Sequence, residues 1–168
     1  GYSFSKNSIH IDHGLYLDKD GKKLATRKGK TIFMEDIIHE TIELAKSEIS
    51  KREKLSSSEL NKRALKIARA AIFYGDLKNH RTNDIAFDIG RFLEFEGNTG
   101  PYILYTYARA KSILRKSDKK PKLKIKSMNE QEKSLVLELS KFPETVKNAF
   151  DFLSPNLIAN YSCNLAQK

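Results

Sequence analysis

Cysteine is nearly absent from this chain: Cys163 is the single one in 168 residues. No internal disulfide can form, which points to a reducing compartment. No apolar run approaches the roughly 20 residues needed to cross a bilayer, and Gly1-Tyr2-Ser3-Phe4-Ser5 lacks the charged and apolar regions of a signal peptide. The expectation is a soluble, cytoplasmic protein without a membrane partner. Acidic residues are also in deficit, 21 Asp+Glu against 31 Lys+Arg, for a net charge of +10. Part of that excess is local: residues 111–126 hold eight cations and a single acid, Asp118. Such a segment is either a solvated linker or an attractor of polyanions, nucleic acid above all. With 39% hydrophobic residues the chain can build a core, so wholesale disorder is excluded. Its length suits one domain, or a small domain with an appendage.

The one β signal lies at the start. Ile9, Ile11, Leu15 and Leu17 fall on odd positions, the period of a half-buried strand over 9–17. Asp18-Lys19-Asp20-Gly21 supplies the chemistry of a tight hairpin, and a second extended stretch is expected at 22–24 or 30–33. Everything after reads helical. Residues 34–52 carry Ile37, Ile38, Ile42, Ala45 and Ile49 at helical spacing, with Glu35 and Asp36 in the first turn. Ser56-Ser57-Ser58 breaks that helix and caps the next, over 59–78, whose stripe is Leu60, Ala64, Ile67, Ala68, Ala71 and Ile72. About 20 residues of helix rise about 30 Å, enough to cross a small domain.

Short elements are expected around Phe87, Phe92, Leu93 and Phe95. Pro101 then suits the first position of a helix running to about residue 116. Residues 117–127, basic and containing Pro121, read as a connection. Asn129 and Glu132 have the spacing of a capping box, ahead of Leu135, Leu137, Leu139 and Phe142, with Pro143 ending or kinking that helix. Helices over 144–153 and 155–168 follow, the last still amphipathic at its final residue. Met34 and the phenylalanines are assigned to the core.

Two segments carry the chemistry. Lys23-Leu24-Ala25-Thr26-Arg27-Lys28-Gly29 gathers cations on a glycine-hinged loop, able to steady charge developing on a nucleotide phosphate. A lysine cluster at a hairpin tip is more often only solvated. Phe95-Glu96-Gly97-Asn98-Thr99-Gly100-Pro101-Tyr102 feeds a helix bearing Tyr105, Tyr107 and Arg109, residues that stack on bases and pair with phosphate. Its plain reading is a turn plus a helix cap, and tyrosines at 102, 105 and 107 cannot all face one way, so at least one belongs to the core. His10-Ile11-Asp12-His13 has the spacing of the His-Ile-Gly-His signature of class I synthetases. Asp12 fills the place of the small glycine, however, and a strand would send the two histidines to opposite faces. The pair also makes a poor metal site, with no cysteine near and no second pair.

The 23–29 loop resembles the Lys-Met-Ser-Thr-Arg-Lys-Gly loop by which arginyl-tRNA synthetases fulfil the class I "KMSKS" role, matching five of seven positions. Leu24 stands for Met, and Ala25 for Ser, which removes a hydroxyl. The resemblance continues through Thr31-Ile32-Phe33-Met34-Glu35-Asp36-Ile37-Ile38, Asp76-Leu77-Lys78, Arg81-Thr82, Asp84-Ile85, Phe87-Asp88, Leu93 and the 95–102 string. Beyond it lie Tyr105, Tyr107-Ala108-Arg109, Ser112-Ile113-Leu114-Arg115-Lys116, Pro155-Asn156-Leu157-Ile158-Ala159-Asn160-Tyr161 and Leu165-Ala166-Gln167. It is weakest at 50–62 and 117–141.

The resemblance implies a mainly α fold: a truncated anticodon-binding helical bundle preceded by a short β-strand or hairpin remnant of a Rossmann-type catalytic domain. It implies a division into the catalytic end (1–33), a connecting helical region (34–100) and the anticodon-binding helices (101–168). Lys23, Arg27 and Lys28 become catalytic, Thr26 and Gly29 complete the ATP loop, and Tyr102, Tyr105, Arg109, Arg115 and Lys116 face tRNA. The parent enzyme would join arginine to tRNA(Arg) using ATP with Mg2+, without a protein-bound structural metal, and this piece would be inactive alone. A stand-alone RNA-binding helical module is the alternative. Cysteinyl-tRNA synthetase, which shares the helical domain, fits less well because of Thr26-Arg27-Lys28-Gly29.

Overall fold

The computed structural model describes residues 3–18, 20–23, 33–86, 88–117 and 127–168. A 3-10 turn (Ser3–Asn7) leads to strand β1 (Tyr16–Leu17), and the long helices α1 (Met34–Ser50) and α2 (Ser57–Leu77) follow. Strand β2 (Ile85–Ala86) and the single-turn helix α3 (Ile89–Phe92) connect to α4 (Gly100–Lys116). Helices α5 (Glu130–Ser140), α6 (Phe142–Asp151) and α7 (Asn156–Gln167) close the chain. The architecture is mainly α with a small β element, as the sequence implies. No helix among the described residues is long and apolar enough to cross a membrane.

Small residues set the core. Ala64, Ala68 and Ala71 of α2 and Ala45 of α1 are almost fully buried, so the two helices pack closely. Ile49, Phe92 and Leu93 fill the space beside them, ringed by Ile42, Leu60 and Ile67. The ring of Phe92 lies where a β-carbon on Gly75 would stand, 2.7 Å away. Thr41 is fully buried as well, its hydroxyl satisfied by donating to the Ile37 carbonyl at 2.6 Å. Ser56 accepts from the Glu59 N–H at 3.3 Å, the cap expected from the serine run. Beside its core stripe α2 also meets α4, at Ala70 and Tyr74, α4 meets α7, and α5, α6 and α7 form a second layer.

The N-terminal strand is shorter than its alternation suggests. Only Tyr16–Leu17 is strand, and it runs parallel to Ile85–Ala86, a strand the sequence reading did not foresee. A ladder extends only as far as its partner, and β2 offers two residues. Ile9 and Ile11 are consequently exposed, and His10 and His13 sit in irregular chain rather than in a strand. The turn at Asp18 is present: its side chain accepts from the N–H groups of Asp20 and Lys22, Gly21 takes φ +74°, and Leu17 bridges Lys23 antiparallel. Residues 30–32 of the other proposed extended stretch lie outside the described residues, as does Phe87.

Several core assignments fail. Met34, Phe33, Phe73, Phe150 and Phe152 are more than half exposed, and of these phenylalanines together with Phe92, Phe95 and Phe142 only Phe92 is buried. Ile38 is exposed, Thr41 having taken the inward position on α1. On α5 the capping box forms, with Asn129 and Glu132 bonded reciprocally at 2.8 Å. Yet α5 turns Glu138 inward and leaves Leu137 and Leu139 outside. Leu135, Leu137 and Leu139 follow a two-residue repeat, which a helix scatters round its circumference. Pro143 sits in the first turn of α6 rather than ending α5, and Gly100 precedes Pro101 in α4.

Candidate nucleic-acid interface

The glycine-rich segment before α4 is held at both ends. Thr99 caps the helix, accepting from the Tyr102 N–H at 3.3 Å while its hydroxyl donates to the Glu94 carbonyl at 2.6 Å. Asn98 receives the Tyr74 hydroxyl at its side chain and the Lys78 ammonium at its carbonyl, 2.9 Å away. Burial raises the Tyr74 phenol far above its ordinary value, with Cys163 as the second cause. Burial also lowers Lys78, helped by the nearby Arg91. Gly100 has no room for a side chain: a β-carbon would lie 2.0 Å from the Ala70 carbonyl oxygen. The start of α4 is thus pressed onto α2, fixing where its outer face points.

Of the α4 residues, Tyr102 is half-buried and its hydroxyl donates to the Ala166 carbonyl of α7 at 3.3 Å. Tyr105 is 53% exposed and shares a face with Arg109 and Lys116, four and eleven residues on. Arg115 is exposed too but lies about 100° round the helix from Lys116. Tyr107 is exposed, with the Lys111 ammonium 6.0 Å from its ring centre. The structure therefore gathers Tyr105, Arg109 and Lys116, ties Tyr102 into the fold, and sets Arg115 aside.

Tyr102 and Tyr105 also border an open cleft of about 870 Å³ between α1, α3 and α4, with Leu93, Phe95, Glu48 and Arg52 on its other walls. The Arg52 guanidinium stands 4.8 Å over the Phe95 ring, a cation–π pair. Arg52 had no signal in the sequence, since it lies just past the end of α1 where the resemblance is weakest. Lys23 is exposed at the hairpin bridge. Its loop companions Thr26, Arg27, Lys28 and Gly29 lie outside the described residues, as does most of the basic run after Lys116.

A second constellation joins the N-terminal segment to the last helices. The Arg81 guanidinium reaches the carbonyls of Phe152 and Leu153 and the Ser154 hydroxyl at 3.2–3.3 Å, and lies 3.8 Å from Asp12. Its own carbonyl accepts from the Gly14 N–H at 2.7 Å. Leu153 has φ +51° and Ser154 N–H bonds back to the Ala149 carbonyl at 2.8 Å, closing α6 with a left-handed residue where glycine is usual. Asn160 of α7 donates to the Lys78 carbonyl at 3.0 Å, and Tyr16 to Asp76.

The family "tRNA synthetases class I (R), catalytic domain" matches residues 1–89, just over half of the chain, and "DALR anticodon binding domain" matches 103–168. An arginine–tRNA ligase of Bacillus anthracis is 38% identical over 99% of this chain. One from Streptococcus pneumoniae is 40% identical over the same share. The chain spans about 30% of the length of either relative. The arginyl-tRNA synthetase structure from Thermus thermophilus superposes with TM-score 0.83 at 27% identity, over 94% of this chain and 26% of that one. The Plasmodium falciparum enzyme does so at 0.76, again at 27% identity, over 94% and 27%. A catalytic-domain match followed by an anticodon-binding match, on one continuously packed body of helices, places the chain in the arginyl-tRNA synthetase family of class I.

Proposed function

We propose that the chain is part of an arginine–tRNA ligase, the ATP-dependent, AMP-forming enzyme that activates arginine and transfers it to tRNA(Arg) in the cytoplasm. The observation that carries this is the serial match of catalytic and anticodon-binding families, on elements that Arg81, Asn160 and Tyr102 tie together. In this reading 1–33 closes the catalytic domain, 34–100 connects, and 101–168 holds the anticodon arm. Lys23, Arg27 and Lys28 would offset charge on the ATP phosphates, with Thr26 and Gly29 shaping the loop. Tyr105, Arg109 and Lys116 would meet tRNA directly, Tyr102 would support them from the cleft wall, and Arg115 would touch the backbone from a neighbouring face.

Mg2+ would travel with ATP, held chiefly by phosphate and water. No group of three or more His, Cys, Asp or Glu that could hold a metal ion occurs among the described residues, and no step here asks one to. The test uses the full-length protein: arginine-dependent ATP–pyrophosphate exchange with tRNA present, then charging of tRNA(Arg). Charging of a different amino acid, or none, overturns the proposal. The same assay separates an enzyme from a non-catalytic RNA-binding module.

A further inference from the structure

Between Glu59 and Asp76 the chain carries Lys62, Arg63, Lys66 and Arg69 and no carboxylate. All four lie on α2. Arg63 is neutralised, its guanidinium bonded to Glu53 at 2.7 Å and Glu59 at 3.0 Å. Lys62, Lys66 and Arg69 follow at spacings of four and three, so they share one face, opposite the buried Ala64, Ala68 and Ala71. All three are exposed, and Phe73, 62% exposed, continues the row four residues on.

Helices α1, α5 and α6 treat their cations differently. Lys46, Lys51, Lys133, Lys141 and Lys147 each pair with a carboxylate three or four residues away on the same helix or at its end. Among the described residues no ion pair engages Lys62, Lys66 or Arg69: Glu59, whose charge also acts on Lys62 and Lys66, is bonded by Arg63, and Asp76, the carboxylate nearest Arg69 in sequence, accepts from Tyr16. This face therefore presents a net positive charge on a well-packed helix. From residue 62 to residue 69 the row spans about 10 Å. One strand of a duplex presents about three phosphates over that length.

We propose that the outer face of α2, through Lys62, Lys66 and Arg69 with Phe73 at its end, is a second RNA-binding surface that tracks the phosphate backbone without reading sequence. The proposal rests on the reading of the chain as part of a tRNA-handling enzyme and adds a contact on a helix other than α4. A lipid surface fits less well, because α2 spends its apolar stripe on the core and its basic face offers little beyond Phe73 to insert.

The experiment measures binding of the 168-residue chain to a tRNA transcript and to an unrelated RNA hairpin, from 50 to 200 mM salt, with vesicles containing phosphatidylserine as a third arm. K62Q/K66Q/R69Q keeps good helix formers at all three positions. It is expected to lower the slope of log affinity against log salt by about 2–3, at roughly 0.7–0.9 per phosphate contact, equally for both RNAs. Thermal unfolding checks the variant's fold, and if the triple variant is unstable, K66Q alone should remove about 0.7–0.9 of that slope. An unchanged slope, or a loss seen only with vesicles, overturns the inference. Binding that falls in Tyr105→Ala and Arg109→Gln but not in the α2 variants overturns it while leaving the assignment to a tRNA ligase standing. A wild-type chain that binds neither RNA overturns both.

Discussion

Replacing Arg81 with alanine should cost this chain more stability than any other single change to an exposed or half-exposed charge. The three contacts to the α6–α7 corner all come from Nη1, at 3.2–3.3 Å. That nitrogen carries two hydrogens, so the three acceptors share roughly two bonds. A hydrogen bond to a charged group contributes about 1.5–3 kcal/mol, and these long distances sit at the lower end. The Asp12 carboxylate, 67% exposed and 3.8 Å from Nε, adds at most about 1 kcal/mol. The Arg81 side chain is itself only 29% exposed, so truncation also uncovers carbonyls already committed to a left-handed turn at Leu153.

The sum is about 2–4 kcal/mol for Arg81→Ala. Arg81→Lys should recover less than half of it, since an ammonium cannot span carbonyls and hydroxyl as the guanidinium fork does. Urea denaturation followed by circular dichroism on wild type and both variants is the assay, read from the midpoint at constant slope. A loss under about 0.5 kcal/mol for Arg81→Ala, the size of an ordinary surface substitution, would refute the idea that Arg81 clamps the corner. Equal loss in Asp12→Asn would show instead that the ion pair, not the carbonyl contacts, carries the energy.

Gly100→Ala should destabilise by about 3 kcal/mol or more, measured the same way, because its β-carbon meets backbone and not a yielding side chain. Burial first, then the hydrogen bond and charge of Asp76, push the Tyr16 phenol from 10.0 up to about 12. Its neutral form is favoured in the fold, so that stability is complete below pH 10 and lost as pH rises towards 12; Tyr16→Phe should flatten this part of the urea-midpoint profile. In the full-length protein Arg27→Ala with Lys28→Ala should slow arginine-dependent ATP–pyrophosphate exchange by about 10²-fold or more, and unchanged exchange would remove the loop from the mechanism. The chain by itself should show no such exchange above background, which purified protein with tRNA tests directly.

What the sequence made legible were features fixed by neighbours a few residues apart. The Ser56 cap, the Asn129–Glu132 box, the Asp18 turn and the extents of α1, α2 and α4 are local, and each appears within a few residues of its expected place. What stayed hidden depends on partners distant in the chain. β2 exists because Leu15 to Leu17 lies beside it, with Asp84 accepting the Leu15 N–H at 2.7 Å. The same distance in sequence hid the Arg81 clamp, whose acceptors lie more than 70 residues on.

The candidate site divides in the same way. The resemblance brought Tyr105, Arg109 and Lys116 forward, and helical spacing alone puts them on one face. It also named Tyr102, and only the structure shows that hydroxyl spent on Ala166. Arg52 and the row at Lys62, Lys66 and Arg69 fall in or next to the stretch where the resemblance is weakest, so likeness to a family could not bring them forward. Their significance is energetic: Arg52 lies over the Phe95 ring, and Lys62, Lys66 and Arg69 are exposed cations without the ion pair that Lys46, Lys133 and Lys141 form on their helices. A charge excess of +10 becomes informative only when the pairs are subtracted. On α2 that subtraction leaves a row of three.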